Sequence, residues 1–204
     1  MDSLPNEEAN TDPCINKFPN MLTDDASDLF NPHSNIIIID VEGYSLKNDF
    51  FVKELACYNP SNEKYWTALF LPPFNKDMFK KKYEDTITNN KHGLKWDEGH
   101  LPYSMLYQVL EHFGANFRLY ARGKDKIKYL QNCMQHPLND LESFGCPPAS
   151  ELPQSYPCIY HDTTNNSCAL NNAIKMGNHF FAFYKMNDLV TAALTTNKLY
   201  VGLF

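Results

Sequence analysis

The chain has 204 residues and a formal net charge of −6, with 43% hydrophobic and 14% aromatic residues. That is enough apolar material for one domain with a single sizeable core. The acidic balance supplies no global basic field for sequence-independent nucleic-acid binding, and no run of about 18 apolar residues offers a membrane span.

Residues 1–34 mix Asn, Asp, Glu, Pro and Ser with scattered hydrophobes such as Phe18, Leu22 and Phe30. This composition predicts a disordered or loosely packed tail, without the basic and then apolar leader of a secreted protein. The domain is therefore expected over 35–204, in an intracellular protein. There, the six cysteines serve as thiols or metal ligands rather than disulfides.

The first element is the β-branched run Ile36–Ile39, a strand buried on both faces that ends in Asp40-Val41-Glu42-Gly43-Tyr44. Phe50–Tyr58 is a second strand, and the short polar link between the two predicts an antiparallel hairpin. Lys64–Phe70 is a third strand, stopped by Leu71-Pro72-Pro73. Residues 75–100 are polar and loop-like, with at most a short helix.

Leu101–Phe113 has helical spacing at Met105, Leu106, Val109 and Leu110. Asn116–Ala121 is a strand, Lys124–Met134 a helix, and Leu138–Phe144 a helix-sized turn. After the Pro-rich 147–157, helices are expected over Cys168–Met176, Asn178–Tyr184 and Asp188–Leu194.

Four patterns carry chemistry. Asp40-x-Glu42 places two carboxylates on one side of a strand, as a pair that bridges divalent ions must be. Tyr120–Leu130 follows a strand with the basic helix start Arg122-Gly123-Lys124-Asp125-Lys126. Ser167-Cys168-Ala169-Leu170-Asn171-Asn172-Ala173 opens a late helix. Cys158-x-x-His161 followed by Cys168 offers the sulfur and nitrogen donors that tetrahedral zinc favours. Trp96 and Tyr103 are read as core or loop anchors in preference to RNA-stacking residues. Lys80-Lys81-Lys82 and the basic helix start are either solvated or part of a local basic groove.

These patterns resemble the DEDD exonucleases of the RNase H-like fold, an α/β class with a mixed sheet flanked by helices. In that alignment Arg122 stands at the motif's Asn and Lys126 at a metal-binding Asp. Ser167 stands at the general-base His and Asn172 at the last Asp. A protonated lysine cannot ligate Mg²⁺, so Lys126 either neutralises Asp40 and Glu42 or touches a phosphate. Asp125, one residue away, is the acid that a shifted alignment would use.

The C-terminal pattern, with Asn139–Glu142 and Cys146-Pro147 before it, further resembles the Maelstrom domain, a DEDD exonuclease relative with a Glu-Cys-His-Cys zinc set. The similarity covers about 35–185. The chain departs from Maelstrom in keeping Asp-x-Glu and in having no HMG-box, so it looks like a divergent subfamily.

The resemblance implies structural Zn²⁺ on Glu54, Cys158, His161 and Cys168, with Glu42 the competitor for Glu54. It implies a catalytically degenerate domain acting as an RNA-binding or scaffold module, with Arg122, Lys124 and Lys126 toward single-stranded RNA. It further implies silencing-pathway partners, a place in piRNA-type transposon silencing, and residence in germ-granule cytoplasm or nucleus. Two alternatives accompany it: a residual RNA nuclease using Mg²⁺ or Mn²⁺ at Asp40 and Glu42, joined by Asp125 or Asp162, and a mobile-element-encoded protein.

Overall fold

The computed structural model describes residues 36–46, 49–75, 92–153, 158, 160 and 167–184. The expected tail over 1–34, the Lys80–Lys82 run, His161, Asp162 and the helix expected over 188–194 lie outside the described residues. In chain order the elements are β1 (Ile36–Leu46), β2 (Asp49–Asn59), β3 (Lys64–Leu69), α1 (Met105–Asn116), β4 (Arg118–Ala121), α2 (Lys124–Asn132) and β5 (Leu138–Asp140). Two 3₁₀ turns follow (Leu141–Phe144 and Ala149–Glu151), then a long helix, α3, over 169–184.

The fold is α/β, with one five-stranded mixed sheet ordered β3-β2-β1-β4-β5. The first three strands pair antiparallel, while β4 and β5 run parallel to β1. The isoleucine run occupies the centre of this sheet because both its faces are covered. Ile37, Ile39 and Val41 join the cluster under α1, which contributes Met105, Leu106, Val109, Leu110 and Phe113. Ile38, Ala56, Tyr58 and Tyr120 face α3 through Ala169, Leu170, Ala173, Ile174 and Phe180. Each fully buried aliphatic side chain in these layers contributes about 1.5–3 kcal/mol.

Helix α3 sits close on the sheet at Gly177, where an added Cβ would lie 2.6 Å from the Tyr58 ring. The Tyr58 hydroxyl donates to Asn178 Oδ1 at 2.6 Å, fixing the same contact.

Several boundaries differ from expectation. β1 does not end at Asp40; pairing with β2 carries it to Leu46, so Asp40 and Glu42 lie within the strand. The helix expected from Leu101 begins at Met105, because Leu101 bridges Phe70 across the sheet edge. Asn116 belongs to α1 and not to the following strand. Leu138–Asp140 is a strand, paired in register with Leu119–Ala121, and only Leu141–Phe144 forms a helical turn. No helix among the described residues is long and apolar enough to cross a membrane.

A register shift in the β1–β2 pair sets the geometry of β2. Glu42 pairs with Glu54, yet Gly43 pairs with Val52, which leaves Lys53 as the extra residue of a bulge. Gly43 has no room for a side chain, since a Cβ there would lie 2.0 Å from the Phe51 carbonyl oxygen. Lys53 is 1% exposed. Its ammonium donates to the carbonyls of Phe70 and Trp96, each at 2.7 Å, and to that of Glu98. Burial pulls its pKa down to about 8, against the opposing charges of Asp97 and Glu98.

The clamp on the 94–101 segment is completed by Tyr44, whose hydroxyl donates to Leu94 O at 2.7 Å, and by Trp96, packed on Tyr44, Phe51 and Phe74. Trp96 is thus fully buried, as an anchor would be. Replacing Lys53 with methionine keeps the stem and strands three carbonyls. It is expected to cost about 2–4 kcal/mol in urea unfolding. A loss below about 0.5 kcal/mol would show that water replaces the ammonium without penalty.

Candidate metal centre and an ion-paired carboxylate cluster

Two polar clusters sit side by side where the middles of β1 and β2 meet the start of α3. The first is built on Glu54, at the middle of β2 and fully buried. Its register against Glu42 points both carboxylates toward the α3 side of the sheet. Glu54 Oε1 lies 3.6 Å from Cys158 Sγ and 3.6 Å from Cys168 Sγ. Its other oxygen, Oε2, accepts from the Ala169 backbone N–H at 2.9 Å, satisfying a donor at the first turn of α3. Cys168 caps the same turn: its carbonyl accepts from Asn172 N–H at 2.9 Å, and its sulfur lies 3.4 Å from Asn171 N.

Among the described residues, Glu54, Cys158 and Cys168 bring three donor atoms within 4.8 Å of one another, a group that can hold a metal ion. The donor set fits a cation on chemical grounds. The hydrogen bond with Cys158 pushes the Cys168 thiol far above its usual range, and burial and the Glu54 charge push the same way. A bound cation would reverse this balance by taking the sulfurs as thiolates.

Sequence reasoning left Glu54 and Glu42 in competition as the carboxylate donor. The geometry brings Glu54 to both sulfurs, whereas Glu42 is engaged elsewhere. His161 lies outside the described residues. Tyr160, between the two, donates its hydroxyl to Thr67 O at 3.1 Å and ties this segment to β3.

The second cluster is centred on Lys126, in the first turn of α2. Its ammonium donates to Asp40 Oδ1 at 2.8 Å, Asp40 Oδ2 at 3.0 Å and Glu42 Oε1 at 3.0 Å. Asn172 Nδ2 donates to Asp40 Oδ2 at 2.9 Å and to Glu42 Oε1 at 3.2 Å. Ser167 Oγ donates to Glu42 Oε1 at 2.6 Å. Five residues picked out in the sequence, Asp40, Glu42, Lys126, Ser167 and Asn172, therefore converge on one point. Of the two roles open to Lys126, neutralisation of Asp40 and Glu42 is the one its contacts describe. Although burial disfavours the ammonium, the charges of Asp40 and Glu42 outweigh it and raise the Lys126 pKa.

Asp40 is 1% exposed. Burial pushes its carboxyl up from 3.8 to about 6, against the pull of Lys126 and with the help of Glu42. The folded chain therefore keeps a proton that the unfolded chain loses between about pH 4 and pH 6. That contribution is fully present below about pH 4 and is lost as pH rises through about 6. In urea unfolding, the stability of the wild type relative to Asp40→Asn is expected to fall across this window and to level off above it. A difference that stays flat from pH 4 to pH 7 would contradict the assignment.

The remaining cations named in the sequence behave differently from one another. Arg122 turns inward, its Nε donating to Cys146 O at 2.9 Å and its Nη2 lying 3.9 Å from Glu142 Oε1. Lys124 is exposed, and Asp125 beside it is exposed as well. Comparison with protein-family models and with curated proteins finds no match to the chain.

Proposed function

We propose that this chain is a metal-tethered domain of RNase H-like, Maelstrom-like type that works as a binding or scaffold module in small-RNA silencing. In this reading it is not a two-metal nuclease. One observation carries the reading: the Lys126 ammonium stands between Asp40 and Glu42, where a divalent ion would otherwise meet the carboxylate pair. Asn172 and Ser167 complete the ring with neutral donors instead of a carboxylate and a histidine. Among the described residues, such a ring offers no open position for a water nucleophile and no histidine base to activate one. The sheet order, with a reversed second strand and parallel fourth and fifth strands, supports the RNase H-like assignment.

Zinc is the metal this reading places at the other cluster. Two thiolates and a carboxylate suit it, and His161 would supply a fourth donor. A closed site of this kind stabilises the fold and does no chemistry; it ties β2 to the start of α3.

The decisive assay incubates the full chain with labelled single-stranded RNA in Mg²⁺ or Mn²⁺. The wild type and Asp40→Asn are expected to leave the RNA equally intact. Metal-dependent degradation by the wild type that Asp40→Asn abolishes would overturn the reading in favour of a residual nuclease.

A further inference from the structure

Beside Lys126 the surface opens into a cleft of about 430 Å³, between the β1–β2 hairpin end and α2. Its volume falls in the range of small-ligand sites. Phe50 and Tyr129 form its aromatic wall, with ring centroids 5.2 Å apart and edge-to-face. Glu42, Asp49 and Asp125 contribute carboxylates, and Lys126 and Lys128 contribute ammoniums.

The charge balance decides what this cleft can take. Lys126 is already committed to Asp40 and Glu42 at 2.8–3.0 Å. Among the described residues, with Asp40 behind the wall, the carboxylates outnumber the ammoniums four to two. A phosphate entering here would meet net repulsion, although the helix start carrying Lys124, Lys126 and Lys128 looks basic as sequence. A cation would meet Asp49 and Asp125, both exposed, and could lie against the Phe50 and Tyr129 rings.

We propose that this cleft binds an organic cation, a guanidinium or alkylammonium group, presented by an arginine-rich protein segment or by a free polyamine. The proposal deepens the binding-module reading and rests on it, by naming the class of group the module takes. Glu42 and Lys126, the two members of the ring that line the cleft, form its fixed inner side. Asp49 and Asp125 supply the attraction, and the aromatic wall supplies the contact area.

The test uses the full chain and a fluorescein-labelled peptide of three arginines spaced by glycine and serine, read by anisotropy at low salt. Saturable binding is expected, and the same peptide with citrulline for arginine is expected not to bind. Asp125→Lys and Asp49→Lys, both on exposed positions, should each weaken binding roughly tenfold. Glu151→Lys, at an exposed carboxylate outside the cleft, should leave it unchanged.

Spermidine in place of the peptide distinguishes the two sources. Spermidine binding that Asp125→Lys weakens, without arginine-peptide binding, assigns the cleft to polyamines. Arginine-peptide binding that spermidine does not displace assigns it to a protein partner.

Equal binding of the citrulline peptide, no effect of Asp125→Lys, or an equal effect of Glu151→Lys would overturn the proposal. So would oligouridine binding that Lys128→Glu abolishes and Asp125→Lys strengthens. These results are independent of the RNA-degradation assay, so failure here is separable from failure of the module reading.

Discussion

Replacing Lys126 with methionine is expected to destabilise the domain by about 3 kcal/mol, because it leaves the buried Asp40 carboxylate without its half-buried partner. Methionine keeps most of the stem volume and removes the charge, so the loss reports electrostatics more than packing. Asp40 and Glu42 would then face each other across the ring with only Asn172 and Ser167 as donors. Burial and Glu42 already push the Asp40 carboxyl up, and Lys126 is the main force opposing them. Without it, Asp40 is expected to be protonated at neutral pH. Lowering the pH should therefore recover part of the lost stability.

Adding Asp40→Asn to Lys126→Met removes a negative charge and should restore stability by a comparable route. The double-mutant cycle would show a coupling energy of about 1–3 kcal/mol. A Lys126→Met protein as stable as the wild type at pH 7 would show that the ion pair is incidental.

The sequence carried the central strand and both carboxylate positions plainly, because four consecutive isoleucines admit few other readings. It carried β5 poorly, since Leu138–Asp140 is too short to show a period and exists only through its pairing with β4. The placement of Lys126 was half legible. The basic residues at the start of α2 could be read locally, but the sign of their partner depends on β4 lying parallel beside β1. That non-local pairing carries α2 over Asp40.

Lys53 was not legible at all. Set between Val52 and Glu54 in a strand, it carries no local mark of burial. The bulge opposite Gly43 instead turns it toward the carbonyls of Trp96 and Glu98, more than forty positions away. Glu54 falls between these cases. A similarity of motif proposed it as a ligand, and the register with Glu42 explains why it reaches Cys158 and Cys168.

Stripping the proposed zinc with a strong chelator is expected to lower the thermal midpoint by about 10 °C. A metal present at a thousand times its dissociation constant contributes about 4 kcal/mol. In a chain of this size each kcal/mol shifts the midpoint by about 2–4 °C. The loss should be only partial, because the sheet and its two helical layers keep their own core.

Cys168→Ser should reproduce the drop and lower the zinc content measured by mass spectrometry. It also removes the sulfur beside the Asn171 amide at the start of α3. Glu54→Gln separates the two effects, because its carbonyl can still accept from Ala169 N–H while its charge is gone. Glu54→Gln is therefore expected to lose metal yet to match the chelated wild type in stability. Were it instead as stable as the metal-replete protein, with its zinc retained, the carboxylate would not be a ligand. The thiol pair would then need its remaining donors from elsewhere in the chain.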